Sequence, residues 1–378
     1  MRIGIDARFF GPRVGGGGLG RYVSELVNHL QEIDHDNEYV IFLKKENFHE
    51  FVVTGGNFSK KMVDVPWYSL AEQTIMPREI ALAKVDFMHY PHWNVPVFSR
   101  VPFIVTIHDL ILLEDPASAR STTRGAFVHG LKHVGFRIAL ERAIHGSRHI
   151  IAVSEATKRS ILKHFKVKPA KITVIHNGVS EPKTGKGVSL RDLGVVQPYF
   201  LYVGNMYPHK NLDTLVEAFM AVHASHPDAQ LVIAGKYDEF GKKLSQKTAE
   251  LGLPNGAVRF LNLPTDEEIG ALYRNAVMLA YPSRIEGFGI PPVEALLAGT
   301  PVMASNTSSM PEVLGEFVKY VDPDDSQDMA RIMVDALVHQ EKWAGLKTRG
   351  MDWAKRYNWT TASRQTLETY LLHGPRRK

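Results

Sequence analysis

Short apolar runs alternate with amphipathic segments throughout the first half of the chain. Each run is rich in β-branched residues, and segments such as 21–33 and 124–145 repeat apolar positions at the spacing of a helix. Strands that alternate with helices predict repeated βαβ units and a largely parallel sheet. The predicted strands of this half are 2–6, 39–43, 86–90, 103–108, 150–154 and 172–176.

The periodicity lapses in the glycine-, lysine- and proline-containing stretch EPKTGKGVSLRDLGVVQP and then resumes. We therefore predict an α/β protein with two Rossmann-like domains, 1–180 and 181–358. The helical pattern after residue 359 has no strand behind it, so we expect residues 359–378 to cross back and bury an apolar face on the first domain. The predicted strands of the second domain are 200–204, 230–235, 258–261, 277–281, 301–305 and 319–322.

Ligands of open parallel sheets bind beyond the carboxyl ends of the strands. With two such sheets, a cleft between them is the natural site. We therefore look for chemistry in the loops that follow predicted strands.

Composition narrows the class of protein. The 378 residues are 44% apolar and 22% charged, as in ordinary globular proteins, and the absence of cysteine excludes disulfides and thiolate nucleophiles. The 45 basic and 40 acidic side chains do not indicate a nucleic-acid partner. No apolar stretch approaches the ~20 residues of a membrane span, and the first strand follows Met1 directly. We expect a cytoplasmic protein without a signal peptide.

One predicted amphipathic helix, 124–145, carries a local excess of cations that includes Lys132, Arg137 and Arg142. Such a face either contacts an anionic membrane surface or is simply solvated. A peripheral contact with the inner face of the membrane is therefore one expectation.

A run of glycines, GGGGLG, precedes the first predicted helix at Arg21. It contains the spacing G-x-G-x-x-G, but residues 7–14 separate it from the strand, which argues against a dinucleotide fingerprint. Gly15, Gly16, Gly17 and Gly18 allow close approach of backbone amides to an anion at a helix N-terminus. The alternative is a plain flexible loop.

The segment SRIEGFGIPPVEALLAGTPVMAS has the most specific pattern in the chain. Glu286 lies in a loop, Pro291 and Pro292 suit the first turn of a helix, and Glu294 lies inside that helix. The loop amides and the positive helix N-terminus predict a diphosphate site, beside which carboxylates accept hydrogen bonds from sugar and ribose hydroxyls. The segment thus predicts recognition of a nucleotide sugar rather than two solvated glutamates.

Two further residues follow predicted strands. Lys210 stands where a strand gives way to a helix and either neutralises a leaving diphosphate or is a solvated surface lysine. His108 ends the apolar strand FIVTIH and either contacts substrate or bonds to backbone.

Taken together, these motifs resemble the retaining glycosyltransferases of family four, which have the GT-B fold of two Rossmann-like domains. The resemblance covers nearly the whole chain. The opening motifs are similar to those of bacterial polysaccharide and O-antigen mannosyltransferases. The matching segments are IDARFF, GGGGLGRY, VTIHDL, IAVSEATKRSI, VIHNGV, VGNMYPHKN, EGFGIPPVEALLAGTPV and YNWTTAS.

The resemblance implies a role for each candidate residue. The first domain would carry the acceptor side, with His108 facing the transferred sugar. In the second domain Glu286 would contact donor-sugar hydroxyls, Glu294 would hold the ribose, and Lys210 would bind the diphosphate. The remaining donor-binding positions are Gly15, Gly16, Gly17 and Gly18, Asn205, Leu263 beside the base, and Gly287, Phe288, Gly289 and Ile290 in the loop that opens the helix.

The chain departs from the family pattern at one place. Many members have an arginine shortly before the lysine, whereas this chain has Asn205, and His209 replaces the arginine of relatives with PRKN. Either Lys210 with backbone amides suffices, or Arg8, Arg13 or Arg21 supplies the second cation.

The resemblance implies front-face transfer of a hexose, in which the leaving diphosphate takes the acceptor proton. The favoured donor is GDP-mannose, and the acceptor is a saccharide or a lipid-linked glycan of polysaccharide biosynthesis. The alternatives are a UDP-sugar donor and a non-catalytic protein that binds nucleotide sugars.

We expect no cofactor and no catalytic metal. One D-x-D, Asp322-Pro323-Asp324, precedes a predicted helix, where its carboxylates are expected to cap the N-terminus rather than to bind a cation.

Overall fold

A computed structural model describes residues 1–11, 17–115 and 126–375, with side chains from residue 135 in the last range. The chain divides into two compact units. The first comprises Met1–Leu110, Thr122–Gly178 and Tyr357–Lys378, and the second comprises Ile111–Ser121 and Val179–Arg356. Among the described residues, 111–115, which the sequence placed in the first domain, group with the second unit.

The secondary structure alternates strands and helices in both units. The strands are β1 Arg2–Asp6, β2 Glu38–Leu43, β3 Phe58–Met62, β4 Phe87–Tyr90, β5 Phe103–Ile107, β6 His149–Ala152, β7 Ile172–Val174, β8 Tyr199–Val203, β9 Gln230–Gly235, β10 Val258–Asn262, β11 Met278–Tyr281, β12 Val302–Ser305 and β13 Lys319–Val321. The helices are α1 Gly18–Ile33, α2 Leu70–Leu82, α3 Ile111–Glu114, α4 Ala126–Gly146, α5 Glu155–His164, α6 Leu212–Ser225, α7 Glu239–Glu250, α8 Asp266–Asn275, α9 Ile290–Leu297, α10 Met310–Leu314, α11 Ser326–Val338, α12 Gln340–Ala354 and α13 Trp359–His373.

Each unit is built on a parallel sheet, which confirms the predicted α/β class. Within the described residues the first sheet has the order β3-β2-β1-β4-β5-β6-β7, and the second has the order β10-β9-β8-β11-β12-β13. In each sheet the strand order reverses beside the first strand of its unit, between β1 and β4 and between β8 and β11. Such a reversal opens a crevice at the carboxyl ends of the two strands, where ligands of these folds bind.

The sequence missed strand β3. Its residues FSKKM include two lysines, and β3 pairs only with β2 at the edge of the sheet. An edge strand needs no continuous apolar run, and lysine is a common residue there. The pattern of apolar residues therefore could not predict strand β3.

Helix α13 belongs to the first unit. Trp359, Ala362 and Tyr370 are buried in the same core as β1 and α1. A β-carbon on Gly178 would lie 2.5 Å from the Trp359 ring, so only glycine allows the helix to begin this close to the chain that leaves β7. The last helix thus completes the core that the first strand begins.

A buried ion cluster lies just after β1. The Arg8 side chain is fully buried, with its Nε 2.8 Å and Nη2 2.7 Å from the two Asp6 carboxylate oxygens. Nη2 also donates to Glu72 Oε1 at 2.6 Å. Burial would lower the pKa of Arg8, but Asp6 and Glu72 raise it above its usual value. Burial raises the pKa of Glu72, and Arg8 limits that rise.

We expect Arg8→Met to destabilise the first unit by about 3–5 kcal/mol near neutral pH, because two carboxylates would then be buried without a cation. Without Arg8 the pKa of Glu72 rises further. A carboxyl with a raised folded-state pKa favours folding less as the pH increases, so the defect should be larger at about pH 8 than at about pH 5. Urea denaturation at the two pH values measures this.

Arg2→Met is the matched control, since Arg2 forms an exposed ion pair with Glu38 and should change the free energy of unfolding by less than about 1 kcal/mol. An Arg8→Met protein as stable as the parent at both pH values would contradict the role of the cluster.

Candidate active site

Lys210 and Glu286 meet at the strand reversal of the second unit. Lys210 closes a short 3₁₀ turn, Pro208–Lys210, that follows β8, and Glu286 follows β11. Since β8 and β11 are the neighbouring strands at the reversal, parallel pairing brings both loops to one edge of the sheet. Lys210 Nζ lies 2.5 Å from Glu286 Oε1.

This ion pair is nearly buried, with 12% of the Lys210 side chain and 9% of the Glu286 side chain exposed. Burial raises the pKa of the Glu286 carboxyl, but the charge and hydrogen bond of Lys210, with a hydrogen bond from Tyr281, bring it below its usual value. The carboxylate is therefore ionised at neutral pH and can accept hydrogen bonds from hydroxyl donors.

The backbone around Glu286 is fixed by two serines. The Glu286 amide donates to Ser308 Oγ at 3.1 Å, and the Glu286 carbonyl accepts from Ser308 Oγ at 2.7 Å and Ser309 Oγ at 3.1 Å. Sequence reasoning missed these serines and Tyr281. The position of Tyr281 at the end of β11 was an available signal, because it puts the hydroxyl at the ligand-binding edge of the sheet.

The loop between the two glutamates leads into α9 as the sequence predicted. Phe288 is buried, and Gly289 takes the left-handed conformation, with φ 86°, directly before the helix begins at Ile290. L side chains rarely adopt this left-handed conformation, so the turn favours glycine, and a β-carbon on Gly289 would also have to displace the methyl group of Met310. Gly287 precedes this turn, and the positive end of the α9 dipole lies beside it.

Glu294 lies inside α9, with only 7% of its surface exposed. Its Oε2 accepts a hydrogen bond from the Tyr273 hydroxyl at 3.0 Å. Tyr273 is in α8, and no local pattern in the sequence connects it with Glu294. The structure thus adds a residue that orients this carboxylate.

Two other predicted donor-binding residues lie after strands of the second sheet. Asn205 is exposed, and its carbonyl accepts from the Tyr202 hydroxyl at 2.7 Å. Leu263 follows β10, is 65% exposed and has φ 50°, an unusual conformation for a bulky side chain. Its amide donates to the Gly235 carbonyl at 3.0 Å.

The structure narrows the choice of a second cation that could assist Lys210. Arg8 is sealed between two carboxylates, so the expectation that it could reach a diphosphate is wrong. His209 is no cation either, because burial and then the charge of Lys210 lower its pKa to about 4. Arg21 is half-buried at the start of α1, and Arg13 lies outside the described residues.

In the first unit, His108 follows β5. Its Nε2 donates to the Pro91 carbonyl at 2.9 Å, and its ring meets the Tyr22 ring edge-on at 4.6 Å. Burial lowers the pKa of His108 to about 4, despite the Pro91 bond, so the imidazole is neutral. The His108 carbonyl accepts from Thr157 Oγ1 at 3.0 Å.

The glycine run is described only in part. Gly15 and Gly16 lie outside the described residues, whereas Gly17, with φ 67°, caps α1 and Gly18 begins it. The predicted helix N-terminus after the glycines is therefore present.

The basic helix is α4. Arg137 is exposed, but Arg142 packs over the Phe103 ring at 5.3 Å and donates to the Ser99 carbonyl at 2.8 Å. The prediction that Arg142 shares a solvent-facing surface with Arg137 is wrong, because its guanidinium bonds to the unit's own backbone. The Lys132 side chain lies outside the described part of α4. Among the described helices, none combines the length and apolarity that a bilayer span requires.

Both carboxylates of the D-x-D contact other groups of the protein. The Asp324 amide donates to Asp322 Oδ1 at 2.9 Å, and Asp324 pairs with Arg284 at 2.5 Å. Asp325, the next residue, caps α11 by accepting from the Asp328 amide at 2.9 Å. The capping role thus falls to Asp325 rather than to the two aspartates of the motif.

Comparison with known proteins relates both units to enzymes that transfer sugars. Residues 16–181 match the model for "Glycosyltransferase Family 4", and residues 193–352 match that for "Glycosyl transferases group 1". The chain is 26% identical to O-antigen chain mannosyltransferase B of Escherichia coli over 94% of this chain and 96% of that protein. It is 28% identical to the Salmonella typhimurium O-antigen chain mannosyltransferase RfbU over 73% and 72%.

Solved structures show the same fold. HepE of Anabaena, in complex with UDP and glucose, has a TM-score of 0.75 at 19% identity and covers 98% of this chain and 100% of its own. The lipopolysaccharide-biosynthesis glycosyltransferase WaaG has a TM-score of 0.73 at 15% identity, with 98% and 99% covered. At these identities the likeness concerns the fold alone.

Proposed function

The chain belongs to glycosyltransferase family 4 and has the GT-B fold, and we propose that it transfers mannose from GDP-mannose, with retention of configuration, to a saccharide acceptor of polysaccharide biosynthesis. The observation that carries the proposal is the Lys210–Glu286 pair at the strand reversal of the second unit. The mannosyl assignment is supported by the names of two relatives, both O-antigen mannosyltransferases.

In the proposed reaction the acceptor hydroxyl attacks the anomeric carbon on the face from which the diphosphate departs. The bond between the anomeric carbon and the phosphate oxygen breaks, and a diphosphate oxygen takes the acceptor proton. The protein supplies position and charge rather than a nucleophile. Lys210 and the N-terminus of α9 would stabilise the negative charge that grows on the leaving group.

The two glutamates would bind opposite ends of the donor. Glu286, ionised and fixed by its backbone contacts, would accept hydrogen bonds from hydroxyls of the transferred sugar. Glu294, oriented by Tyr273, would accept from the ribose. The neutral ring of His108 would face the transferred sugar without adding positive charge to it.

We expect Glu286→Gln to lower kcat/KM for the donor by roughly 10- to 150-fold, because a charged hydrogen bond to the sugar is lost. Lys210→Met should act mainly on kcat, since charge on the diphosphate grows in the transition state. Glu294→Gln should instead weaken GDP binding. Turnover of a panel of GDP- and UDP-sugars measures these effects, and calorimetry measures nucleotide affinity.

Lys243→Met, which removes an exposed lysine of the same unit, is the control and should match the parent. Parent-like turnover by all three site variants would refute the site. A parent protein that binds nucleotide sugars but turns none over would favour the non-catalytic alternative. Turnover of UDP-sugars alone would show that the donor is a UDP-sugar rather than GDP-mannose.

We propose that transfer needs no metal and no cofactor. The carboxylates of the D-x-D are held by a backbone amide and by Arg284, which supports this. Activity should be unchanged after exhaustive chelation with EDTA. Recovery only on addition of Mg²⁺ or Mn²⁺ would overturn the proposal.

We also propose a peripheral contact with anionic lipid at the cytoplasmic face of the membrane, through the face of α4 that bears Arg137. Ile138, beside it, is 51% exposed and would add apolar contact. Sedimentation with vesicles of anionic lipid should show binding at low salt that falls at high salt and is weaker for Arg137→Glu. Absence of binding at low salt would exclude this contact.

A further inference from the structure

An aromatic cluster fills the strand reversal of the first unit. Phe9 follows β1, whereas His92 and Trp93 follow β4, the strand on the other side of the reversal. The Phe9 ring stacks on Trp67 at 4.5 Å and meets the His92 ring at 5.3 Å, and His92 meets Trp93 at 4.6 Å. The crevice position that holds Lys210 and Glu286 in the second unit is thus lined by rings in the first.

Tyr68 is the outermost ring of this cluster. It stacks on Trp93 at 5.3 Å with an interplanar angle of 29°, yet 60% of its surface is exposed, whereas Trp93 is buried. Burial of apolar surface therefore does not account for the position of Tyr68. One face of the ring is supported by Trp93, and the ring remains open to solvent.

The backbone of Tyr68 is strained, because its φ is 60° and a bulky side chain rarely adopts this left-handed conformation. The surrounding structure enforces it. The Tyr68 amide donates to Glu72 Oε2 at 2.8 Å, and Glu72 Oε1 is held by Arg8 at 2.6 Å and by Asn94 Nδ2 at 2.8 Å. A buried ion cluster thus holds an exposed tyrosine in a costly conformation, and strained backbone of this kind clusters at functional sites.

The groups beside the rings include a neutral imidazole, the buried ion cluster and a lysine, Lys44, whose Nζ lies 4.4 Å from the centroid of the Trp67 ring. Burial and then His108 lower the pKa of His92 to about 3, and its Nδ1 accepts from the Asn94 amide at 3.4 Å, which leaves the proton on Nε2. Arg8 is paired with the carboxylates of Asp6 and Glu72. The loop of His92 begins at Pro91, whose carbonyl binds His108, so the cluster continues directly to that residue.

From this arrangement we infer that Tyr68, stacked on Trp93, is a platform for a neutral pyranose ring of the acceptor saccharide. A pyranose presents a flat face of C–H groups, which packs against the electron-rich face of an aromatic ring, and a rim of hydroxyls, which bond to neutral polar side chains. The inference rests on the proposed function, since it concerns the acceptor of that reaction.

The test is saturation-transfer NMR with the methyl glycosides of mannose, glucose, galactose and N-acetylglucosamine. At least one glycoside should bind the parent protein, and Tyr68→Leu should weaken that binding roughly tenfold, because leucine has no flat face to stack. Tyr68→Phe should bind like the parent. Affinity for GDP and UDP should be the same in all three proteins.

Phe98→Leu is the matched control, since Phe98 is 68% exposed in the same unit, and it should leave glycoside binding unchanged. Thermal unfolding distinguishes a structural role of Tyr68 from a binding role. Tyr68→Gly relieves the left-handed strain, so its unfolding temperature should be no lower than that of Tyr68→Leu. Both variants should lose glycoside binding to the same extent.

Two outcomes distinguish failure of the platform from failure of the proposed reaction. If the parent turns over a nucleotide sugar but binds no glycoside in a Tyr68-dependent way, the platform is wrong and the transferase stands. If Tyr68-dependent glycoside binding occurs without donor turnover, the platform stands and the proposed reaction fails.

Discussion

A charge buried at the carboxyl edge of a parallel sheet must be neutralised there, and this constraint organises both units. The same strand order recurs in each, and each places a cation beside carboxylates at its reversal: Arg8 in the first unit and Lys210 in the second. Arg8 is fully buried and is paired with two carboxylates. Lys210 is paired with one carboxylate and keeps some exposure. One topology therefore yields a fully buried ion cluster in the first unit and a partly exposed ion pair in the second.

The chemistry of the site depends on how each carboxylate is held. Glu286 is fixed through its backbone by serines and through its side chain by Lys210, and Glu294 is oriented by Tyr273. These contacts preorganise the acceptor oxygens before any ligand arrives, which reduces the entropy that binding must lose. The neutral states of His108 and His209 leave Lys210 as the cation among these candidates.

Sequence reasoning worked where one segment carries the whole signal. Local rules predicted the arrangement around α9, because its parts are contiguous in the chain. These parts are strand β11, the turn at Gly289, the start of the helix and Glu294. It failed where the cause lies elsewhere in the chain. β3 is defined by pairing with β2 rather than by apolar pattern, Arg8 is buried because of Glu72, and Tyr273 reaches Glu294 from another helix. Contacts between distant segments leave no periodic trace in a single sequence.

Because helix α13 belongs to the first unit, that unit is completed after the second one during translation. The first unit contains β1, yet its core also requires Trp359 and Tyr370, and the Tyr370 hydroxyl lies 2.7 Å from Nδ1 of the buried His89. A ribosome synthesises the whole second unit before those residues emerge. The first-synthesised sheet therefore keeps part of its apolar surface uncovered until the last helix of the chain is available to pack on it.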